Sequence, residues 1–194
     1  MPFPFFTRRA APQPEGRFTR LHDNGVKREE GTWVAGRRHG LWRKWYDNGQ
    51  LEEECTWVEG HVHGPLTRWF PDGELKVEVQ MAWGALQGPF ARFHPNGRMA
   101  EEGEWIDGRP HRAWCRWWPN GQRRAEGAFH HGQPVGRWTA WHPDGSVLYR
   151  GPWVGDLLEA LPSEMRRTIR VDEPDPAVST AERLCWDADY SNVA

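Results

Sequence analysis

The sequence predicts an all-β fold: an elongated, single-layer antiparallel β-meander of about six 24-residue hairpin repeats, ended by a short, partly helical C-terminal cap. Three observations carry this. Turn dipeptides recur at an unbroken interval of 24 residues, at Asn24-Gly25, Asn48-Gly49, Asp72-Gly73, Asn96-Gly97, Asn120-Gly121 and Asp144-Gly145, which is the mark of a repeat architecture. Two more glycine columns run in step, one at Gly36, Gly60, Gly84, Gly108 and Gly132, the other at Gly40, Gly64, Gly88 and Gly136, with Arg112 as its exception. The composition also suits an array. Only 38% of residues are hydrophobic, but 14 are tryptophan, and an array buries surface between neighbouring repeats rather than in one central core.

Taken in order, residues 1–17 are proline-rich, carry Phe3, Phe5 and Phe6, and read as an extended N-terminal arm. Residues 18–155 form the repeat array. Residues 156–194 break the pattern and read as a cap and acidic tail. Leu157, Leu158, Leu161, Met165 and Ile169 recur at helical spacing there, interrupted by Pro162, and would cover the open edge of the last strand. Charge divides the same way: residues 1–155 hold 21 Lys+Arg against 18 Asp+Glu, residues 156–194 hold 4 against 9, and the net is -2. Three cysteines without CxxC spacing argue against a disulfide framework and for a reducing compartment. No signal peptide or membrane-spanning run is evident, so a cytoplasmic location is expected.

Four of the six turns read Pro-Asp/Asn-Gly. Proline presets φ for a type I turn and the glycine takes the left-handed position of a G1 bulge, giving a three-residue hairpin loop. Residue 46 is then expected to pair with 50, 45 with 51, 43 with 53 and 42 with 54. The second turn, Val58-Glu59-Gly60 and its equivalents, returns the chain to the next repeat. About twelve strands at about 4.8 Å each make a sheet roughly 55 Å long. That register puts Trp45, Leu51 and Trp57 on an inner face with the small-residue columns of positions 43 and 55. It puts the Trp42, Leu66, Phe90, Trp114, Trp138 column on a wet outer face. A basic row (Arg20, Lys44, Arg68, Arg92, Arg116) and an acidic row (Glu30, Glu54, Glu78, Glu102, Glu126) would share that outer face.

The stretch from Trp42 to Gly64 follows the pattern W-x-x-W/F-[YFHW]-[PD]-[ND]-G-x-[LM]…E-x-x-W-x-x-G-x-x-x-G, and Phe90 to Gly108 nearly so. It resembles the MORN repeat, and more closely the variant in bacterial antitoxin-like proteins of the YwqK type. The resemblance covers residues 18–155. It departs at Arg112, at Asp156 where glycine is expected, and at Met81 and Trp83. It implies a twisted single-layer meander acting as a scaffold or binding module: for protein partners, for membranes in eukaryotes, for toxins in bacteria.

The residues offer little to catalysis. GxSxG, P-loop, GxGxxG and HExxH motifs are missing, and the carboxylates belong to repeating rows. Cys115 with His111 or His142 is the one nucleophile arrangement to weigh, but Cys115 occupies a column filled elsewhere by threonine and alanine. His39, His63 and His111 share a column, yet residues one repeat apart stand about 9–10 Å apart, too far to share a zinc ion. No enzyme activity, metal or cofactor is expected. The basic row among tryptophans has the look of a single-strand stacking platform, but matching carboxylates and an acidic tail weigh against nucleic acid. A near-neutral array makes a membrane the lesser alternative to a protein partner. A single layer leaves aromatic surface to cover, and Trp, Tyr and Arg dominate interface hot spots. The expected partner surface is Trp83, Phe70, Trp118 and Tyr46 with Arg68, Arg92 and Arg116. Trp83 leads, because its turn position is held elsewhere by Ala35, Glu59, Asp107 and His131. The partner expected is a toxin or effector, with the chain as its antitoxin or immunity protein. A scaffold at a membrane or polyanion is the alternative.

Overall fold

The computed structural model describes residues 14–153. The expected helical cap and acidic tail, and most of the N-terminal arm, lie outside these residues. Twelve strands follow one another: β1 Gly16–Leu21, β2 Lys27–Val34, β3 Arg37–Trp45, β4 Leu51–Val58, β5 His61–Trp69, β6 Leu75–Ala82, β7 Ala85–Phe93, β8 Met99–Ile106, β9 Arg109–Trp117, β10 Arg123–His130, β11 Gln133–Trp141 and β12 Val147–Pro152. They form one open antiparallel sheet in chain order. β1 starts at Gly16, so Gly16 and Arg17, read from sequence as part of the arm, belong to the sheet.

Two kinds of turn alternate. At the Asn/Asp-Gly turns, Gly49 N–H donates to Tyr46 O at 3.0 Å, Tyr46 N–H donates to Gln50 O at 2.9 Å, and Gly49 sits at φ +87°. This is the expected three-residue loop, and its last residue must be glycine to reach that φ without strain. At the other end of the strands, Glu59 (φ +51°) and Gly60 (φ +84°) join the paired residues Val58 and His61. Two consecutive left-handed residues make the type I′ loop that matches strand twist.

The register corrects the expected faces. Trp45 pairs with Leu51 as predicted. Beyond it, Lys44 pairs with Glu53, Arg43 with Glu54 and Trp42 with Cys55, leaving Glu52 as an extra residue. The same shift recurs at Arg68/Trp69 and Arg92/Phe93. A slip of one residue sends side chains to the opposite face. Three assignments fail for that reason. The position-43 column lies on the second face, not on the inner face with position 55. The Trp42 column is buried, not wet. The acidic row Glu30–Glu126 lies on the face opposite the basic row, not beside it.

The buried face is built from three rows. The central row runs across the sheet as Phe18, Gly31, Trp42, Cys55, Leu66, Val79, Phe90, Gly103, Trp114, Gly127, Trp138, Gly151. Large residues alternate with small ones, and the rings lean over the glycines. Phe90 and Trp114 stand on either side of Gly103, yet their ring centroids are 5.6 Å apart in a stacked pair; Phe18 and Trp42 meet over Gly31 at 5.8 Å. Two strands' width is about 9.6 Å, so this contact exists only because no Cβ intervenes. In the middle of the sheet the pair is Leu66 with Val79 instead, which redistributes volume between neighbouring strands.

A second row places charges on this same face. Glu53 lies between Lys44 and Arg68, and Glu101 between Arg92 and Arg116. A third row alternates Trp33, Trp57, Met81, Trp105 and Phe129 with Arg38, Val62, Leu86, Pro110 and Pro134. The Arg38 guanidinium lies 4.3 Å from the Trp42 ring and 5.0 Å from the Trp57 ring, and its Nη2 bonds Glu29 at 2.9 Å. The three rows cover one another so well that Trp42, Trp114 and Trp138 retain only 2%, 4% and 2% of their surface in an open sheet. The expectation of a broad uncovered aromatic face is therefore overturned: the rings seal themselves laterally, without a second layer.

Candidate partner-binding surface

The residues expected to meet a partner separate into two groups. Arg68, Arg92 and Arg116 are committed to the fold. Arg68 Nε–H donates to Glu53 at 2.6 Å, Arg116 Nε–H to Glu101 at 2.7 Å, and Arg92 Nη2–H to Glu101 at 3.2 Å. Glu101 is 2% exposed, and a carboxylate so buried persists only when its charge is compensated. Burial pushes the Glu53 carboxyl up, but Arg68 and Lys44 outweigh it and hold it below its ordinary value.

Tyr46 and Trp118 are inter-repeat struts. Tyr46 O–H donates to Trp69 O at 2.8 Å and Trp118 Nε1–H to Trp141 O at 3.0 Å, in each case 23 residues further on. His22 and His94 reach the equivalent carbonyls of Trp45 and Trp117 at 2.8 and 2.9 Å. A polar tip on a ring makes this strut, so tyrosine, histidine and tryptophan serve alike in the column. Phe70 lacks that tip; its ring takes the Lys76 ammonium at 5.5 Å. The Asn-Gly turns carry a parallel strut, with Asn48 Nδ2–H donating to Pro71 O and Asn96 Nδ2–H to Pro119 O, both at 2.7 Å.

Trp83 belongs to the other group. It is 59% exposed and is the only aromatic among the large exposed hydrophobic side chains of the described residues. It occupies the first left-handed position of its type I′ loop at φ +51°, where L side chains are disfavoured. Its ring rests 4.9 Å from that of His63.

Sequence reasoning missed the job of the histidine column. His63 Nδ1 accepts Trp83 N–H at 3.4 Å, His111 Nδ1 accepts His131 N–H at 3.1 Å, and Gln87 Oε1 accepts Asp107 N–H at 3.0 Å. Glutamine can replace histidine here because each offers an acceptor at a similar reach. His111, His130 and His131 also form a triangle of rings 4.6–5.1 Å apart. Partial desolvation, then His131 and His130, lower the His111 pKa from its ordinary value. Among the described residues no group of three His, Cys, Asp or Glu is arranged to hold a metal.

Cys115 lies across from Glu102 and Glu126, two carboxylates rather than an imidazole, and burial raises its thiol pKa. Cys55, in the ring row, is pushed up to about 12 by burial. Neither environment makes a thiolate.

The second face is different in kind. Its central row reads Thr19, Glu30, Arg43, Glu54, Thr67, Glu78, Ala91, Glu102, Cys115, Glu126, Thr139, Arg150. Over β5–β9 it hollows into an open groove of about 660 Å³, lined by Thr67, Glu78, Gln80, Ala91, Glu102 and Glu104 among others.

One comparison with known proteins bears on this geometry. Residues 38–59 match the MORN repeat variant. The match supports the MORN-repeat family for this array. It spans β3, the Asn48-Gly49 turn and β4, the part of the chain where the repeat pattern is most complete. No curated protein matches the chain. MORN repeats are protein- or membrane-binding modules, so the match supports a binding role without identifying the partner.

Proposed function

We propose that the chain is a non-enzymatic, cytoplasmic protein-binding module that acts as an antitoxin or immunity protein, neutralising a toxin by direct contact and steric masking. The observation that carries the binding role is Trp83. Its neighbours in the same loop position are Ala35, Glu59, Asp107 and His131, so the turn forms without a ring. An indole left 59% exposed serves contact, since tryptophan is among the commonest interface anchors. Phe70 is the second contact, since a phenyl ring has no polar tip with which to make the strut. Tyr46, Trp118 and the three arginines support the surface from within the array.

The test is capture from the native host with the full chain and with Trp83→Ala, alongside coexpression with the neighbouring reading frame. A specific protein retained by the wild type, lost by the variant and toxic when expressed alone bears the proposal out. Retention by both chains removes Trp83 from the contact. A non-toxic ligand removes the antitoxin role while leaving the binding module. Salt-sensitive flotation with anionic vesicles, with no protein retained, favours the membrane scaffold instead.

A further inference from the structure

We propose that the groove on the second face docks a basic polyproline II segment, with a lysine or arginine at every third residue. This rests on the protein-binding role above but uses none of the same residues.

Three observations converge. The first is a charge imbalance confined to the groove. In the acidic row Glu30 bonds Lys27 at 2.8 Å, Glu54 bonds Arg43 at 2.6 Å, and Glu126 pairs with Arg123. Glu78 and Glu102 are both exposed, and neither has an ion-pair partner among the described residues. The column that supplies Arg43 to the row holds Thr67, Ala91 and Cys115 beside these two. Glu104, at the rim, is already taken by Arg112 at 2.7 Å. Among the described residues the array thus offers these two exposed carboxylates no cation of its own, and the groove presents net negative charge to a ligand.

The second is shape. Small residues floor the groove: Ala91 lies directly between Glu78 and Glu102, Thr67 beside Glu78, and Pro65 and Pro89 flank them. A chain can lie along this row and across the strands with its backbone close to the sheet.

The third is pitch. Glu78 and Glu102 stand two strands apart, about 9.4–9.8 Å at the usual strand spacing. A polyproline II helix has three residues per turn at about 3.1 Å each, so like side chains recur every ~9.3 Å along one edge. A β-strand repeats its faces every ~6.7 Å and falls out of step after one residue pair. The two-strand spacing of these carboxylates thus matches the three-residue period of polyproline II, a conformation that also limits the ordering entropy lost on binding.

The test uses the full chain and a labelled peptide of four Lys-Pro-Pro units, followed by fluorescence anisotropy. Saturable binding is expected, weakening steeply as salt rises from about 50 to about 300 mM. Glu78→Gln with Glu102→Gln should weaken it about tenfold or more. Ala91→Lys, which places the array's own cation between the two carboxylates, should abolish it and serves if the double variant is poorly folded. A peptide of four Lys-Pro units, with equal charge but the wrong period, should bind far less well. Equal affinity for the two peptides, or undiminished binding by both variants, overturns the proposal, as does binding of anionic vesicles in place of the peptide. Trp83→Ala should leave peptide binding unchanged, so failure here and failure of the Trp83 contact are told apart.

Discussion

Gly103→Ala tests the ring-over-glycine packing with an unusual sign. Gly103 has no left-handed φ, so on backbone grounds alanine should stabilise the strand by about 0.5–1 kcal/mol. The structure predicts the reverse. A Cβ on Gly103 would lie 2.3 Å from Trp114 Cε2 and 2.4 Å from Cδ2, more than an ångström inside the ~3.5–4.0 Å optimum. These are bridge atoms of the indole, not the end of a flexible chain. The ring is also fixed by Phe90 stacked at 5.6 Å and Trp105 edge-on at 5.5 Å. Overpacking of this kind costs about 1–3 kcal/mol, and a clash this deep belongs near the top of that range. The array also contains its own remedy, since Val79 fills the position equivalent to Gly103 one repeat earlier and Leu66 the position equivalent to Trp114 two repeats earlier, and the two pair directly. Trp114→Leu alone should cost about 2–4 kcal/mol through the space it leaves, offset in part because the buried Trp114 Nε1–H has no acceptor among the described residues. Gly103→Val with Trp114→Leu should recover at least ~2 kcal/mol relative to the sum of the single changes. Urea unfolding followed by far-UV circular dichroism, on all three variants and Gly103→Ala, reads this directly. Additivity in the double variant, or a Gly103→Ala chain as stable as the parent, would refute the packing argument.

Three further outcomes follow from the same geometry. Glu101→Gln should lower stability by roughly 2–4 kcal/mol, because Arg92 and Arg116 lose the buried charge that holds them; equilibrium unfolding measures it. Stability should fall as the solution is acidified, in two windows. His111 has a lowered pKa, so its contribution is intact above the ordinary histidine value and is lost as pH falls through the lower folded value. His111→Gln, copying Gln87, should keep the fold and flatten that window. Glu53 is also lowered, so its share is intact above the ordinary carboxyl range and is lost only as pH falls through its depressed value. Finally, with its thiol at about 12, Cys55 should resist alkylation at pH 8 in the folded chain and react once the chain is unfolded, as mapped by peptide mass spectrometry.

Much of the fold was legible because the punctuation is chemical. Asn-Gly and Asp-Gly fix a loop whose φ values few other residues tolerate, so about twelve strands, their pairing order and the three-residue loop are legible in the glycine columns, whereas the second turn is placed there without its type. The faces could not. The extra residue at Glu52 and its equivalents carries no signature in composition, and it reverses every side chain beyond it. Once reversed, the ring columns and the Gly31, Gly103 and Gly127 column fall on one face, and their complementarity explains the burial. For the site, Trp83 stood out as a residue its loop does not require. The arginines, Tyr46 and Trp118 resemble hot-spot residues by type, but their partners lie 9 to 23 residues away, visible only when neighbouring strands are laid side by side in the right register. The groove is not legible in the sequence, because the unshifted register puts the acidic and basic rows on one face, where their charges balance.

Tryptophan accessibility tests the division of the sheet into a self-sealed ring face and an exposed contact. In hydroxyl-radical footprinting of the folded full chain, read by mass spectrometry, Trp83 should oxidise far faster than Trp42, Trp114 and Trp138. Comparable oxidation of those three would mean that the ring face lies open to solvent, contradicting the account.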